Sequence, residues 1–321
     1  MQTHKTIFMF SGQGSQYYQM GQPMYEQNPV FRRWMDDLDA FCRSRLGASV
    51  IRLIYDPNRT RMEVFERTPL SGLAIFMVEY ALARTLEQSG VRADMTLGAS
   101  LGTYAAAAVS GAITAEEALT SIMRQAEIME RHCPPGGMLA VIGDLSLFDA
   151  PELGGRTQLA ANNFSSHFVV AGLEDALVQA EHWLSAKGVT HQRIPVSYAF
   201  HSRWIDQARL PLEQSIAETP ARPLRIPLVC CARSRTVDAL GDGFFWNVIR
   251  DPIEFSRTIA LLERDGVPYR YVDAGPSGTL AGFLRYLLPK ESPAEVVRIL
   301  TPFGGELKSF ASAVESTRRA S

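Results

Sequence analysis

Cysteine is scarce in this chain: four in 321 residues, at positions 42, 133, 230 and 231, with no CxxC pair. That spacing builds neither a disulfide framework nor a zinc site, so it implies a reducing, cytoplasmic compartment and no metal. Cys133 precedes two prolines and has no thiolate-stabilising motif around it, so it reads as a turn cysteine rather than a nucleophile. Charge of one sign is also lacking. The 32 basic and 34 acidic residues leave a formal charge of −2, with no overall positive field to draw nucleic acid or an anionic membrane. Long apolar runs are missing too: residues 6–10 are too short for the apolar region of a signal peptide, and residues 73–83 contain Glu79 and are too short to span a bilayer. No repeat or low-complexity segment appears, and residues 316–321 read as a frayed terminus.

What is present is ample core-forming material, at 46% hydrophobic residues, arranged as alternating strand-like and helix-like stretches. Residues 6–10 and 95–97 read as strands; 24–46, 72–88 and the stretch from 101 onward read as helices. Such alternation predicts a parallel sheet covered by helices. Pro134-Pro135-Gly136-Gly137 interrupts it. Strands at 138–142, 158–161, 168–171 and 190–195, with a helix at 173–187, then predict a small split-βαβ unit inserted into the larger one. Residues 224–231 and 269–272 resume the larger sheet, and a helix follows at 279–288.

Gly98-Ala99-Ser100-Leu101-Gly102 is a GxSxG pentapeptide between a short strand and an Ala-rich helix, the setting of a serine nucleophile on a strained turn. The following helix would point its N-terminal amides at developing negative charge. A serine needs a base. Of six histidines, His4 and His132 lie near a terminus and a turn, and His167, His182 and His191 fall in the inserted unit with surface or packing roles. His201 stands where the insert returns to the main domain, a natural cleft, with a packed core histidine as the competing reading. Gly12-Gln13-Gly14-Ser15-Gln16, just after the first strand, can supply oxyanion donors. The phosphate-loop pattern GxxxxGK[ST] is absent, which argues against a nucleotide.

In this order the motifs resemble the acyl-CoA:acyl-carrier-protein transacylases of fatty acid and polyketide synthesis, over nearly the whole chain. The resemblance rests on residues 8–16 (FMFSGQGSQ), Ser100 in its pentapeptide, Phe200-His201-Ser202, Asn162-Asn163 and the Asp273-Ala274-Gly275-Pro276 turn. It implies an α/β fold: a large α/β-hydrolase-like parallel-sheet domain (1–137 and 197–321) with an inserted small ferredoxin-like subdomain (138–196). It also implies Ser100 as nucleophile, His201 as base oriented through backbone carbonyls, and an oxyanion hole from Gln13 and the Leu101 amide. An acyl pocket would include Gln125, Ala99, Thr103, Asn163, Phe200 and Tyr198. No cofactor is implied beyond the substrate's own phosphopantetheine. The partners would be acyl carrier proteins of a polyketide synthase, and acyl-CoA for a loading enzyme. Carrier proteins are acidic, so Arg203, Arg222, Arg225 and Arg233 are candidates for a docking patch.

The departures from the family pattern decide the expected reaction. Transacylases that handle malonyl groups carry an arginine twenty-five residues beyond the serine; here that position is Gln125, and Arg124 is one residue away. One residue turns a helix by about 100°, so Arg124 should point away from the pocket. The family's GHSxGE is here Gly98-Ala99-Ser100-Leu101-Gly102-Thr103, and Ser71-Gly72 stands where a Gln-Pro pair is expected, so the pocket should be larger and less polar. Lack of the arginine resembles the free-standing, proofreading acyl hydrolases of trans-acyltransferase polyketide synthases, which strip stalled or unwanted acyl groups from carrier proteins. Two alternatives are a trans-acting acyltransferase loading a starter, malonyl or succinyl unit, and a catalytically idle interaction subunit.

Overall fold

The computed structural model describes residues 4–65, 70–218, 221–264 and 266–320. The chain begins with β1 (Lys5–Phe10), α1 (Gln22–Gln27), α2 (Pro29–Leu46), α3 (Val50–Ile54), α4 (Ser71–Gln88), β2 (Met95–Gly98), α5 (Gly102–Val109) and α6 (Ala115–His132). β3 (Gly136–Ile142), β4 (Gln158–Phe164), β5 (His167–Leu173), α7 (Glu174–Ala186) and β6 (Thr190–Ile194) come next. It closes with α8 (Arg209–Ala217), β7 (Leu228–Cys230), β8 (Arg235–Val237), α9 (Phe244–Arg250), α10 (Phe255–Arg264), β9 (Tyr269–Asp273), α11 (Thr279–Leu287), β10 (Glu295–Arg298) and α12 (Glu306–Ala320).

Two sheets carry the fold. The first has order β10-β9-β1-β2-β7-β8 and is parallel except for the antiparallel edge pair β7–β8. Strand side chains alternate between faces. Phe8 and Phe10 therefore enter one apolar core, while Ile7 and Met9 enter another that also holds Leu97, Val229 and Tyr271. Burial on both faces explains the unbroken apolar run of β1. Between β1 and β2 the register sets Phe10 opposite Gly98, so the loops leaving these two strands emerge side by side.

The second sheet, β4-β5-β3-β6, is antiparallel throughout, and α7 packs its Leu177, Ala180 and Leu184 against it. In order of appearance its strands lie 2-3-1-4, the ferredoxin-like arrangement. A single 3₁₀ turn at Leu145–Asp149 stands where that arrangement has its first helix.

Three readings of the sequence change. The helix expected over 24–46 is broken at Asn28-Pro29: the Asn28 side chain accepts from the Val30 and Phe31 amides, capping a new helix that has Pro29 in its first turn. The strand expected over 224–231 forms only at Leu228–Cys230, because Pro227 has no N–H for the ladder. Residues 316–320 are not frayed; they close α12, and the Arg270 guanidinium donates to Ser316, Thr317 and the Ala313 carbonyl. Ser321, the last residue of that segment, lies outside the described residues.

Candidate active site

Both glycines of the pentapeptide are dictated by close approach. A Cβ on Gly98 would stand 2.4 Å from Thr103 Cα, and one on Gly102 would stand 2.2 Å from the Phe10 carbonyl oxygen. The turn folds this tightly because α5 is rich in alanine and runs hard against β1 and β2, all eight of its residues being buried. Ser100 sits at φ +53°, a left-handed conformation that costs a non-glycine residue strain and projects the side chain out of the turn. Leu101 precedes the first residue of α5, so its N–H has no acceptor inside the helix. Gly12 packs on this turn: its Cβ position lies 3.1 Å from Ser100 Cβ and 3.5 Å from the Leu101 nitrogen. The β1 loop, with Gln13, thus adjoins the same point.

His201 Nε2 lies 2.8 Å from Ser100 Oγ. The histidine is almost wholly buried and also left-handed, at φ +60°. Its backbone N–H donates to the Ile249 carbonyl, and Nδ1 lies 2.8 Å from the Asp251 carbonyl oxygen. A carbonyl only accepts, so Nδ1 carries the proton and Nε2 is the acceptor facing the serine. The C-terminal end of α9 therefore holds the imidazole through main-chain atoms, with no carboxylate bonded to it among the described residues. Burial pushes the His201 pKa down to about 4, partly opposed by the Asp251 hydrogen bond.

Two cavities lie close by, one lined in part by Ser100 itself and the other by its neighbour Leu101. One, of about 230 Å³, is lined by Ser100, Ala99, Asn163, His167, Phe200 and Phe283, among others, and lies between the two sheets. The other, of about 430 Å³, includes Gln13, Leu101, Gln125, Met129, Tyr198 and Phe200 in its wall, together with Ser71 and Gly72. Gln125 points inward from α6 and is 8% exposed, while Arg124 turns outward to the Glu218 carboxylate at 2.7 Å and the Ser215 carbonyl at 3.3 Å. Among the described residues lining the larger cavity there is no lysine or arginine; its only charged members are Glu127 and Glu130, both exposed.

Beneath the β1 loop lie two buried acids, Glu79 and Asp273, whose proximity the sequence does not show. Ser11 donates to Glu79 Oε1 through its N–H at 2.7 Å and its hydroxyl at 3.1 Å, and Glu79 Oε2 has no partner among the described residues. Burial, reinforced by nearby Asp273, raises the Glu79 pKa well above the usual carboxylate value, against the Ser11 hydrogen bonds that lower it. Asp273, pushed up to about 6 by burial, accepts from the Gly275 and Ala281 amides at 2.8 Å each and pins the turn into α11. Among the described residues no group of three His, Cys, Asp or Glu could hold a metal ion. No described helix is long and apolar enough to cross a membrane.

Three further expectations require correction. Thr103 lines neither cavity; it is 1% exposed and packed behind the turn against Gly98, because the side chain of the second helical residue points back under the strand. His167 is not a packing residue of the insert alone: it lines the smaller cavity, 2.9 Å from the Asn163 amide across the β4–β5 turn, and burial lowers its pKa. Its place one residue beyond a tight turn that also brings in Asn163 was the signal available in the sequence. Arg203 and Arg225, two of the four candidate docking arginines, line separate hollows. Arg222 is tied bidentately to Glu117, Arg225 lines a hollow with Arg84 and Arg92, and Arg203 lies over Trp204 in a hollow that also reaches His201.

The family model for the acyl transferase domain matches residues 7–318. The polyketide biosynthesis acyltransferase homolog BaeD of Bacillus velezensis is 44% identical over 303 residues, covering 94% of this chain and 93% of that protein. The homolog PksD of Bacillus subtilis is 40% identical over 305 residues, covering 95% and 94%. Among solved structures, the acyl transferase domain of SpnD in complex with 2-(pent-4-yn-1-yl)malonyl superposes with a TM-score of 0.87 at 29% identity, covering 99% of this chain and 77% of that one.

Proposed function

Since this chain belongs to the acyl transferase domain family, we propose that it is a serine acyl hydrolase that clears acyl groups from the carrier proteins of a trans-acyltransferase polyketide synthase. The names of the two Bacillus relatives support the polyketide setting. The observation that carries the choice of acyl group is the larger cavity: a neutral amide, Gln125, faces it, and the adjacent arginine is bound outside to Glu218. A carboxylated acyl chain would be desolvated there without a cation, so neutral chains are favoured.

The mechanism follows from the hydrogen bonds. Ser100 Oγ passes its proton to His201 Nε2 as it attacks the thioester carbon, and the Asp251 carbonyl steadies the imidazolium through Nδ1–H. The oxyanion forms against the Leu101 amide and Gln13, each such donor contributing roughly 3 kcal/mol to the transition state. His201 returns the proton to the departing thiol, leaving an acyl-serine. Water then attacks, giving its proton to His201, and the free acid leaves as Ser100 is reprotonated. On this reading residues 138–196 form the subdomain that closes over the nucleophile, and the smaller cavity, with Asn163 and His167, takes the pantetheine arm.

Intact-protein mass spectrometry of carrier proteins bearing acetyl, butyryl or malonyl groups tests this. Ser100-dependent loss of the acetyl or butyryl mass, with malonyl persisting, is expected; Ser100→Ala should leave all three unchanged. Net transfer of malonyl or succinyl from coenzyme A onto a carrier would make the protein a loading transferase. Absence of any Ser100 adduct would make it an interaction subunit.

A further inference from the structure

Gln125 has one half of its amide committed and the other free. Its Oε1 accepts from the Tyr104 hydroxyl at 2.9 Å. Tyr104 is fully buried in α5, stacked on Phe245 with ring centroids 4.6 Å apart, and burial keeps its hydroxyl protonated and able to donate. The amide is thus held from behind by a rigid donor. That leaves Nε2 for the cavity, and among the described residues nothing accepts from it. Much of the surrounding wall is apolar, with Leu101, Ile122, Met123, Met129, Val196 and Phe200, and the rim carries Glu127 and Glu130. The residue as a whole is 8% exposed, so a donor opening only into this largely apolar hollow suits one kind of ligand atom: an uncharged oxygen.

We infer that the larger cavity selects acyl chains bearing a keto or hydroxyl oxygen, with Gln125 Nε2 as the donor that recognises it and Tyr104 as the positioning residue that keeps the donor side forward. The inference rests on the reading of Ser100 as the acylated nucleophile and of this cavity as the acyl site. A plain alkyl chain would leave the amide unpaired, while a carboxylate would find no lysine or arginine among the described residues of the cavity wall, Arg131 being paired with Glu127. Intermediates of a carbon-chain assembly that reduces its β-carbon stepwise carry such oxygens, so the reactions supplying the substrate would be condensation and ketoreduction.

The test uses pantetheine thioesters of hexanoic, 3-oxohexanoic, 5-oxohexanoic and 5-hydroxyhexanoic acid. The readout is kcat/KM for each oxygenated ester divided by that for hexanoyl. Intrinsic reactivity cancels when this ratio is compared between wild type and variants. Gln125→Leu should lower the ratio about five- to tenfold for at least one oxygen position, the worth of one hydrogen bond in a dry site. Tyr104→Phe should lower it in the same sense, which a merely structural role would not do. Dissociation constants for the same esters with Ser100→Ala supply the ratio without turnover. An unchanged ratio at every position overturns the inference. So does a preference for the hydroxyl ester with none for the ketones, which would mean that the amide presents its oxygen. Oxygen-selective binding without acylation of Ser100 would sink the hydrolase reading alone; Ser100-dependent turnover with an unchanged ratio would sink this one alone.

Discussion

Titration of His201 connects burial to both activity and stability. The ring's pKa falls from 6.5 to about 4 because folding strips it of water. That difference favours the neutral ring in the folded protein by about 3 kcal/mol. The sign follows from proton counts. Between pH 6.5 and about 4 the unfolded chain holds the proton and the folded one does not, so stability falls as pH falls through this window and is fully present above it. Asp273, raised to about 6, works the other way over the range above 3.8, and His167 works in the same sense as His201. Urea unfolding of wild type and His201→Asn at matched pH removes both, since asparagine tolerates the left-handed backbone and does not titrate. The difference between the two proteins should change by about 3 kcal/mol from pH 7 to pH 4. Activity gives the second reading. A neutral His201 is needed to take the serine proton, and with a pKa near 4 about nine-tenths of the rings remain neutral at pH 5. Single-turnover acylation of Ser100, quenched and followed by mass spectrometry, should stay nearly flat from pH 8 to about 5 and halve near 4. A midpoint near 6.5, together with a pH-independent stability difference, would refute the argument that burial sets this group.

Gln125→Arg should let malonyl chains acylate Ser100, improving kcat/KM for malonyl over butyryl by about tenfold or more, because a charge-assisted pair contributes roughly 1.5–3 kcal/mol; a competition assay with both esters reads this directly. Glu79→Gln keeps the acceptor for Ser11 and removes the carboxyl whose pKa burial raises, so the variant should gain stability over wild type as pH rises from 5 to 8, measured by thermal melts. Glu79→Leu strands the buried Ser11 N–H, should cost about 1–3 kcal/mol, and should lower kcat by loosening the loop that carries Gln13. Asp251→Ala leaves the backbone carbonyl that His201 uses, so kcat should change less than about twofold, whereas loss of a true triad aspartate function costs about 10⁴-fold.

That contrast at Asp251 shows what a sequence can and cannot display about such a site. Ser100 was legible because the turn that exposes it admits only glycine at 98 and 102, and a steric requirement of that kind leaves a residue signature. Gln125 and Arg124 were separable because helical rotation is fixed, and the structure turns one inward and the other to Glu218. The atoms that orient His201 are carbonyls of residues 249 and 251, and a carbonyl is the same in every residue, so no substitution pattern marks them. Thr103 was misplaced for the converse reason: its neighbour in sequence is the nucleophile, but the helix carries its side chain under the sheet.

The parts of the fold that stayed hidden follow a similar rule. β1, buried on both faces, was plain as an unbroken apolar run, whereas β10 is an edge strand of alternating exposure in which Glu295 and Arg298 flank two valines, too short a pattern to separate from a loop. Residues 316–320, the last turn of α12, read as a frayed end because the anchors Ser316 and Thr317 are polar and meet an arginine almost fifty residues away in sequence. Glu79 was noticed only as a charge that breaks an apolar run. In the fold burial raises its pKa, and its single accepting oxygen fixes the loop that brings Gln13 to Ser100. The side chain that looked least suited to the core is thus the one that ties the core to the chemistry.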